Sequence, residues 1–185
     1  MARAYRTRTI LLFALALAYC RSGARTSIAF VDLLDSLPSA ERRAARDVDV
    51  SVRADLSGPA GDLRPSIVTE APARVIFSSR LPTRARLETA VALVANGDGQ
   101  LGPGATARIG ISDDRRYEAL VTIPLDSATS QPRAWHTVSI DLGAYSGWQW
   151  SLFYRPWERT WRLIFSADAM PGGTIAWARP VVRGS

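Results

Sequence analysis

Residues 135–165 read WHTVSIDLGAYSGWQWSLFYRPWERTWRLIF, and side-chain parity in this stretch decides the fold class. It holds five of the six tryptophans and the single histidine of the chain. Trp148, Trp150, Leu152 and Tyr154 alternate with Gln149, Ser151, Phe153 and Arg155, which is the period of a pleated strand and not of a helix. Past Pro156 the alternation resumes, with Trp161, Leu163 and Phe165 on one face and Arg162 and Ile164 on the other. The large residues are even-numbered before the turn and odd-numbered after it. A shared face then requires pairs such as Tyr154 with Trp161 and Leu152 with Leu163. An aromatic hairpin is expected, with Trp157 carried on its loop.

The same period spreads outward. Val138, Ile140 and Leu142 share a face with His136, so the histidine reads as a strand-end residue. Residues 47–54 place Val48, Val50 and Val52 inward, and residues 73–79 form a strand through Val75 and Phe77. Residues 86–95 suit a helix by propensity, but Leu87, Thr89, Val91 and Leu93 also fit a strand, and the strand is preferred among strand neighbours. Ala107, Ile109 and Ile111, then Tyr117, Ala119, Val121 and Ile123, form a hairpin about the turn at Asp113 and Asp114. A last strand over residues 174–182 carries Ile175 and Trp177. Pro65 and Pro72 bracket residues 64–72, which are expected to be irregular. Residues 27–37 read as a strand entering a brief helix, or as a short helix over 30–37. Residues 39–46 hold good helix formers behind Ser39 as N-cap, so a short N-terminal surface helix is expected. Short strands punctuated by turns, with no long helix, define an all-β class, an antiparallel β-sandwich of jelly-roll type.

At 185 residues, 47% hydrophobic and 22% charged, the chain has material for one full core and no signature of disorder. Arg3, Arg6 and Arg8 precede an apolar run over residues 10–18, and Ala16-Leu17-Ala18 offers a small-x-small cleavage site before Tyr19. This is the pattern of a secretory signal, and the run is short for a bilayer span. The expected division is a signal over 1–18, an extension with a short helix over 19–46 and the sandwich over 47–185. The protein is expected to be exported to the periplasm, cell envelope or extracellular space. Membrane contact is expected only through the N-terminal segment, with an uncleaved anchor or lipidation at Cys20 as the alternatives.

The formal charge is +6, and without the three signal arginines 20 basic residues stand against 17 acidic ones, or +3. That balance, with no recognisable module, argues against nucleic-acid binding. One cysteine excludes an intrachain disulfide and any cysteine-based metal site.

The segment Asp141-Leu142-Gly143-Ala144-Tyr145-Ser146-Gly147, the strand Arg162 to Phe165 and the closing Trp177-Ala178-Arg179-Pro180 together resemble the last third of galactose-binding-like jelly rolls of the carbohydrate-binding-module type. They are similar to the non-catalytic N-terminal modules found beside bacterial sulfatase-like proteins. The resemblance implies a binding scaffold without its own catalysis. Residues 148–160 depart from it, being longer than the usual step between the glycine and the arginine-bearing strand.

Candidate chemistry follows the same line. His136 has no second histidine with which to build a zinc site. Asp113 and Asp114 are adjacent in a turn and read as solvated, not as an acid/base pair. Asn96-Gly97-Asp98-Gly99-Gln100 is oxygen-rich but lacks the closing glutamate of a calcium loop. It reads as a glycine-rich connection, and no cofactor or metal is assigned. Sugar rings present apolar faces with polar rims, so a lectin-like site combines an exposed aromatic with a few hydrogen-bonding side chains. Trp157 on the loop, Trp148 or Tyr145 at its entry, and Arg155, Glu158 and Arg159 make up the candidate set. The expected function is an exported, non-enzymatic module binding a carbohydrate or another envelope component. The alternative is a structural protein docking a protein partner through its aromatic face.

Overall fold

The computed structural model describes residues 30–59, 61–102, 104–126, 134–146, 160–168 and 173–184. The strands are β1 (Phe30–Asp32), β2 (Glu41–Ala44), β3 (Val52–Ser57), β4 (Arg64–Glu70), β5 (Ala73–Ser79), β6 (Arg86–Val94), β7 (Gly104–Ser112), β8 (Tyr117–Asp126), β9 (His136–Asp141), β10 (Trp161–Asp168) and β11 (Thr174–Arg183). Among the described residues, helix is confined to single turns at Leu37–Ser39, Val48–Ser51 and Gly143–Ser146. One sheet runs β3-β4-β11-β6-β9, with β1 also on β11, and the other runs β2-β5-β10-β7-β8. Every pairing is antiparallel. The protein is an antiparallel β-sandwich, and β1 and β2 draw residues from Phe30 onward into its sheets.

The inner faces follow the period of two. Leu163, Phe165 and Ala167 of β10, Ile109 and Ile111 of β7, and Val75 and Phe77 of β5 meet Ile175 and Trp177 of β11, Val91 of β6 and Ile67 of β4 in one buried cluster. Phe165 contacts Trp177 edge-on with centroids 5.2 Å apart, and Phe77 stands edge-on to Phe165 at 5.7 Å. The indole N–H of Trp177 donates to the Thr69 hydroxyl at 3.2 Å, so the buried tryptophan leaves no polar atom unpaired. Leu142 closes the end of this core, its amide donating to the Ala85 carbonyl at 2.8 Å.

β11 carries an irregularity that shapes one outer face. On one side it pairs with β6 throughout, but on the other it pairs with β4 over Thr174–Ala178 and with β1 over Val181–Arg183. A bulge between Ala178 and Val181 marks the changeover. It also inverts parity, since odd-numbered Trp177 and even-numbered Val182 both point inward.

Several expectations are corrected. Leu163 is paired with Phe77 on one side and Ile111 on the other, so no edge is left for Leu152, and the expected hairpin register does not form. The first half of that hairpin lies outside the described residues. The expected helix over residues 39–46 is instead the 3₁₀ turn Leu37–Ser39 followed by strand β2, because the β5 edge supplies backbone partners that a helix with a narrow apolar face cannot match. Residues 48–51 form a helical turn, not a strand: the Asp47 carboxylate accepts the Asp49 amide at 3.0 Å as an N-cap, and Val50 is left exposed. Residues 64–70 are regular strand, not irregular chain, because Pro65 sits in the first turn of pleat, where its missing N–H is tolerated. In β8 the irregularity opposite Ile109 and Gly110 turns Tyr117 and Ala119 outward, while Val121 and Ile123 keep the inward parity. The strands expected over residues 73–79 and 86–95, through Ala107 to Ile111 and through Val138 and Ile140 form as β5, β6, β7 and β9.

Trp177→Ala removes the indole that joins the two sheets. It is expected to cost about 3–5 kcal/mol, read as a fall in the urea midpoint; a change below about 1 kcal/mol would show that the two inner faces do not depend on it.

Candidate functional site

Of the six residues singled out from sequence, only Tyr145 is described; Trp148, Arg155, Trp157, Glu158 and Arg159 lie outside the described residues. Tyr145 sits half-buried on the Gly143–Ser146 turn, edge-on to Trp161 at 5.3 Å. Burial, reinforced by a hydrogen bond to Glu118, raises its phenol above the usual tyrosine range. Its ring is used for packing. The other chemical candidates do not converge either. Asp113 Oδ1 accepts the Arg115 and Arg116 amides at 3.1 and 2.8 Å, and Asp114 pairs with Arg162 at 2.7 Å. Asn96 Oδ1 accepts the amides of Asp98 and Gln100, which closes the glycine-rich connection on itself. His136 is exposed at the start of β9.

The structure places a concave site elsewhere. Where β4 hands over to β1 along β11, a cleft of about 540 Å³ opens on the outer face of the sheet. Ala90, Ala178, Val181 and Thr137 line it, all on the face opposite the core by strand parity. At one end stand Phe30, over half exposed, and Arg183, whose Nε is 2.9 Å from Glu88 Oε2 and whose guanidinium lies 5.7 Å from the Phe30 ring centroid. Asp32 follows along β1, with Oδ1 turned back to accept the Leu34 amide at 2.8 Å.

Arg64 forms the opposite end through a packed arrangement of its own. Its guanidinium lies 5.0 Å from the Trp135 ring centroid and grips Asp62 with two bonds, at 2.6 and 3.1 Å. The Trp135 indole N–H donates to the Asp62 carbonyl at 3.0 Å, and its ring packs on the outer-face residues Val68, Ala92, Val94 and Ala176. Gly58 makes this possible, since a Cβ there would stand 2.8 Å from the indole and 2.2 Å from the Asp62 carbonyl oxygen. The hydrogen bonds from Arg64 hold the Asp62 carboxyl below its ordinary value.

Between the two ends Arg179 sits in the bulge with φ +41°, immediately before Pro180. Arginine rarely adopts positive φ, and a following proline already narrows its choices. The Pro180 carbonyl accepts the Leu33 amide at 3.0 Å and the Ala178 carbonyl accepts the Thr89 hydroxyl at 3.0 Å, so the surroundings fix the conformation. Sequence reading missed this site. The one signal for it was Arg-Pro in the middle of an otherwise regular strand, a bulge mark.

Neither a protein-family model nor a curated protein matches the sequence. Solved structures share the fold: the K1 cleaved adhesin domain of Lys-gingipain from Porphyromonas gingivalis W83 superposes with a TM-score of 0.51 at 12% identity, covering 86% of this chain and 98% of that one. The carbohydrate-binding module TmCBM61, solved with β-1,4-galactotriose, gives a TM-score of 0.50 at 8% identity over 79% of this chain and 88% of its own. The likeness is one of fold: the chain shares its antiparallel β-sandwich with these two domains.

Because the folded Asp62 carboxyl titrates below its unfolded value, the stabilisation from its Arg64 pair is complete above about pH 4 and is lost only as pH falls through the depressed folded value. In a proton NMR titration the Trp135 indole resonance should move only as pH falls below about 4 so far as Asp62 controls it, and Arg64→Gln should bring that step to higher pH. A step that Arg64→Gln leaves unmoved would contradict the arrangement.

Proposed function

We propose that this chain is an exported, non-catalytic module that binds a carbohydrate in the cleft beside the β11 bulge. The observation that carries the reading is the composition of that cleft. An exposed aromatic ring, Phe30, lies beside a low run of small side chains, Ala90 and Ala178, with Thr137, Glu88, Asp32 and three arginines around it. A pyranose needs an apolar platform for its C–H face and hydrogen-bonding groups at its rim. The neighbour solved with β-1,4-galactotriose supports this reading by fold. The scattered placement of His136, Asp113 and Asp114 supports a binding role over a catalytic one.

Isothermal titration of the full chain against a panel of neutral and acidic oligosaccharides should give saturable binding, weakened about tenfold (about 1.4 kcal/mol) by Phe30→Ala. A well-folded protein that gives no heat with any of them, or a Phe30→Ala variant that binds unchanged, would overturn the reading. Export carries its own expectation, that the exported chain begins at Tyr19 by mass spectrometry. An exported chain that retains Met1 would contradict cleavage.

A further inference from the structure

We infer that the cleft selects an acidic saccharide and that Arg179 meets its carboxylate, an inference that rests on the carbohydrate reading above. Three guanidinium groups line the cleft. Arg64 is held by Asp62 in a two-bond pair, and Arg183 is held by Glu88. Arg179 has no ion pair or hydrogen bond from its side chain among the described residues, and it is exposed. Asp32 is the remaining acid of the lining; one of its oxygens is occupied by the Leu34 amide.

The backbone points the same way. Arg179 is kept at φ +41° in front of a proline, in the middle of the strand that holds the core together. Glycine would fill the same place without strain, and the arginine side chain contributes nothing to the buried cluster. A strained, solvent-facing, uncompensated guanidinium inside a concave site is placed for a ligand. A single planar fork fits one carboxylate at the edge of a sugar ring. Glu88 and Asp32 in the same cleft disfavour densely charged sulfated or phosphorylated polymers, which favours a sugar bearing a single carboxylate, such as a uronic acid.

The test is isothermal titration of the full chain with an oligogalacturonate and with a neutral β-1,4-galacto-oligosaccharide of equal length. The acidic oligomer should bind about tenfold more tightly, the preference should shrink with added salt, and Arg179→Gln should remove it. Arg179→Gly is the second variant: it accepts the positive φ, so its melting temperature should be no lower than that of the parent while the preference is lost, which separates loss of charge from unfolding. Equal or tighter binding of the neutral oligomer, or a preference that survives Arg179→Gln, overturns the inference and leaves the carbohydrate reading standing. Failure of both oligomers and of the wider panel overturns the two together.

Discussion

The edge-on contact between Phe165 and Trp177 joins the middle strand of one sheet to the middle strand of the other, and the remaining structure depends on it. Both rings are all but fully buried. An aromatic pair of this geometry contributes about 0.5–1.5 kcal/mol beyond its area, and the larger part comes from the burial itself. The contact fixes which face of β11 points inward. Once Trp177 is inward, Ala176 and Ala178 are outward, and every strand paired to β11 inherits its register from that choice.

β11 must also serve two neighbours on one side. β4 is used up at Ala178 and β1 begins at Val181, and no continuous ladder can bridge strands arriving from different parts of the chain. The bulge resolves this by inverting parity, which returns Val182 to the core and exposes Arg179. Pro180 suits the position because it has no amide to leave unpaired, while its carbonyl is taken by Leu33. The break in the ladder that the core requires is the opening from which the cleft is made. Fold and site therefore share one cause.

Much of the sandwich was legible because burial on one face writes itself as alternation. Val75 and Phe77 and Ala107 to Ile111 mark their strands directly, while Leu87 to Leu93 also suits a helix and reads as strand from its strand neighbours. Alternation does not name the partner strand, which is why Leu163 was matched with its near neighbour Leu152 and not with Phe77 and Ile111. Local hydrogen bonding defeated it at Val48 and Val50, where the Asp47 cap winds a turn out of residues that read as strand. Proline bracketing misled at β4, since Pro65 occupies the tolerated position at a strand's beginning. The cleft was illegible for a different reason. Phe30, Glu88, Thr137 and Arg179 are far apart in sequence and meet only through the strand order of one sheet.

Small residues on the outer face let one sheet do two jobs. At Val68, Ala92 and Ala176 the face is dry, roofed in part by Trp135, whose approach depends on the bare backbone of Gly58. At Ala90 and Ala178, one step along the same strands, the face borders the open cleft. Branched side chains at those two alanines would bury more apolar surface and favour the strand locally, but they would fill the space between Phe30 and Arg64. The sheet gives up packing on that side, and the hydrophobic cluster between the layers carries the stability in its place. The cost of keeping a concave surface is thus spread over several alanines and one strained arginine, none of which supports the interior.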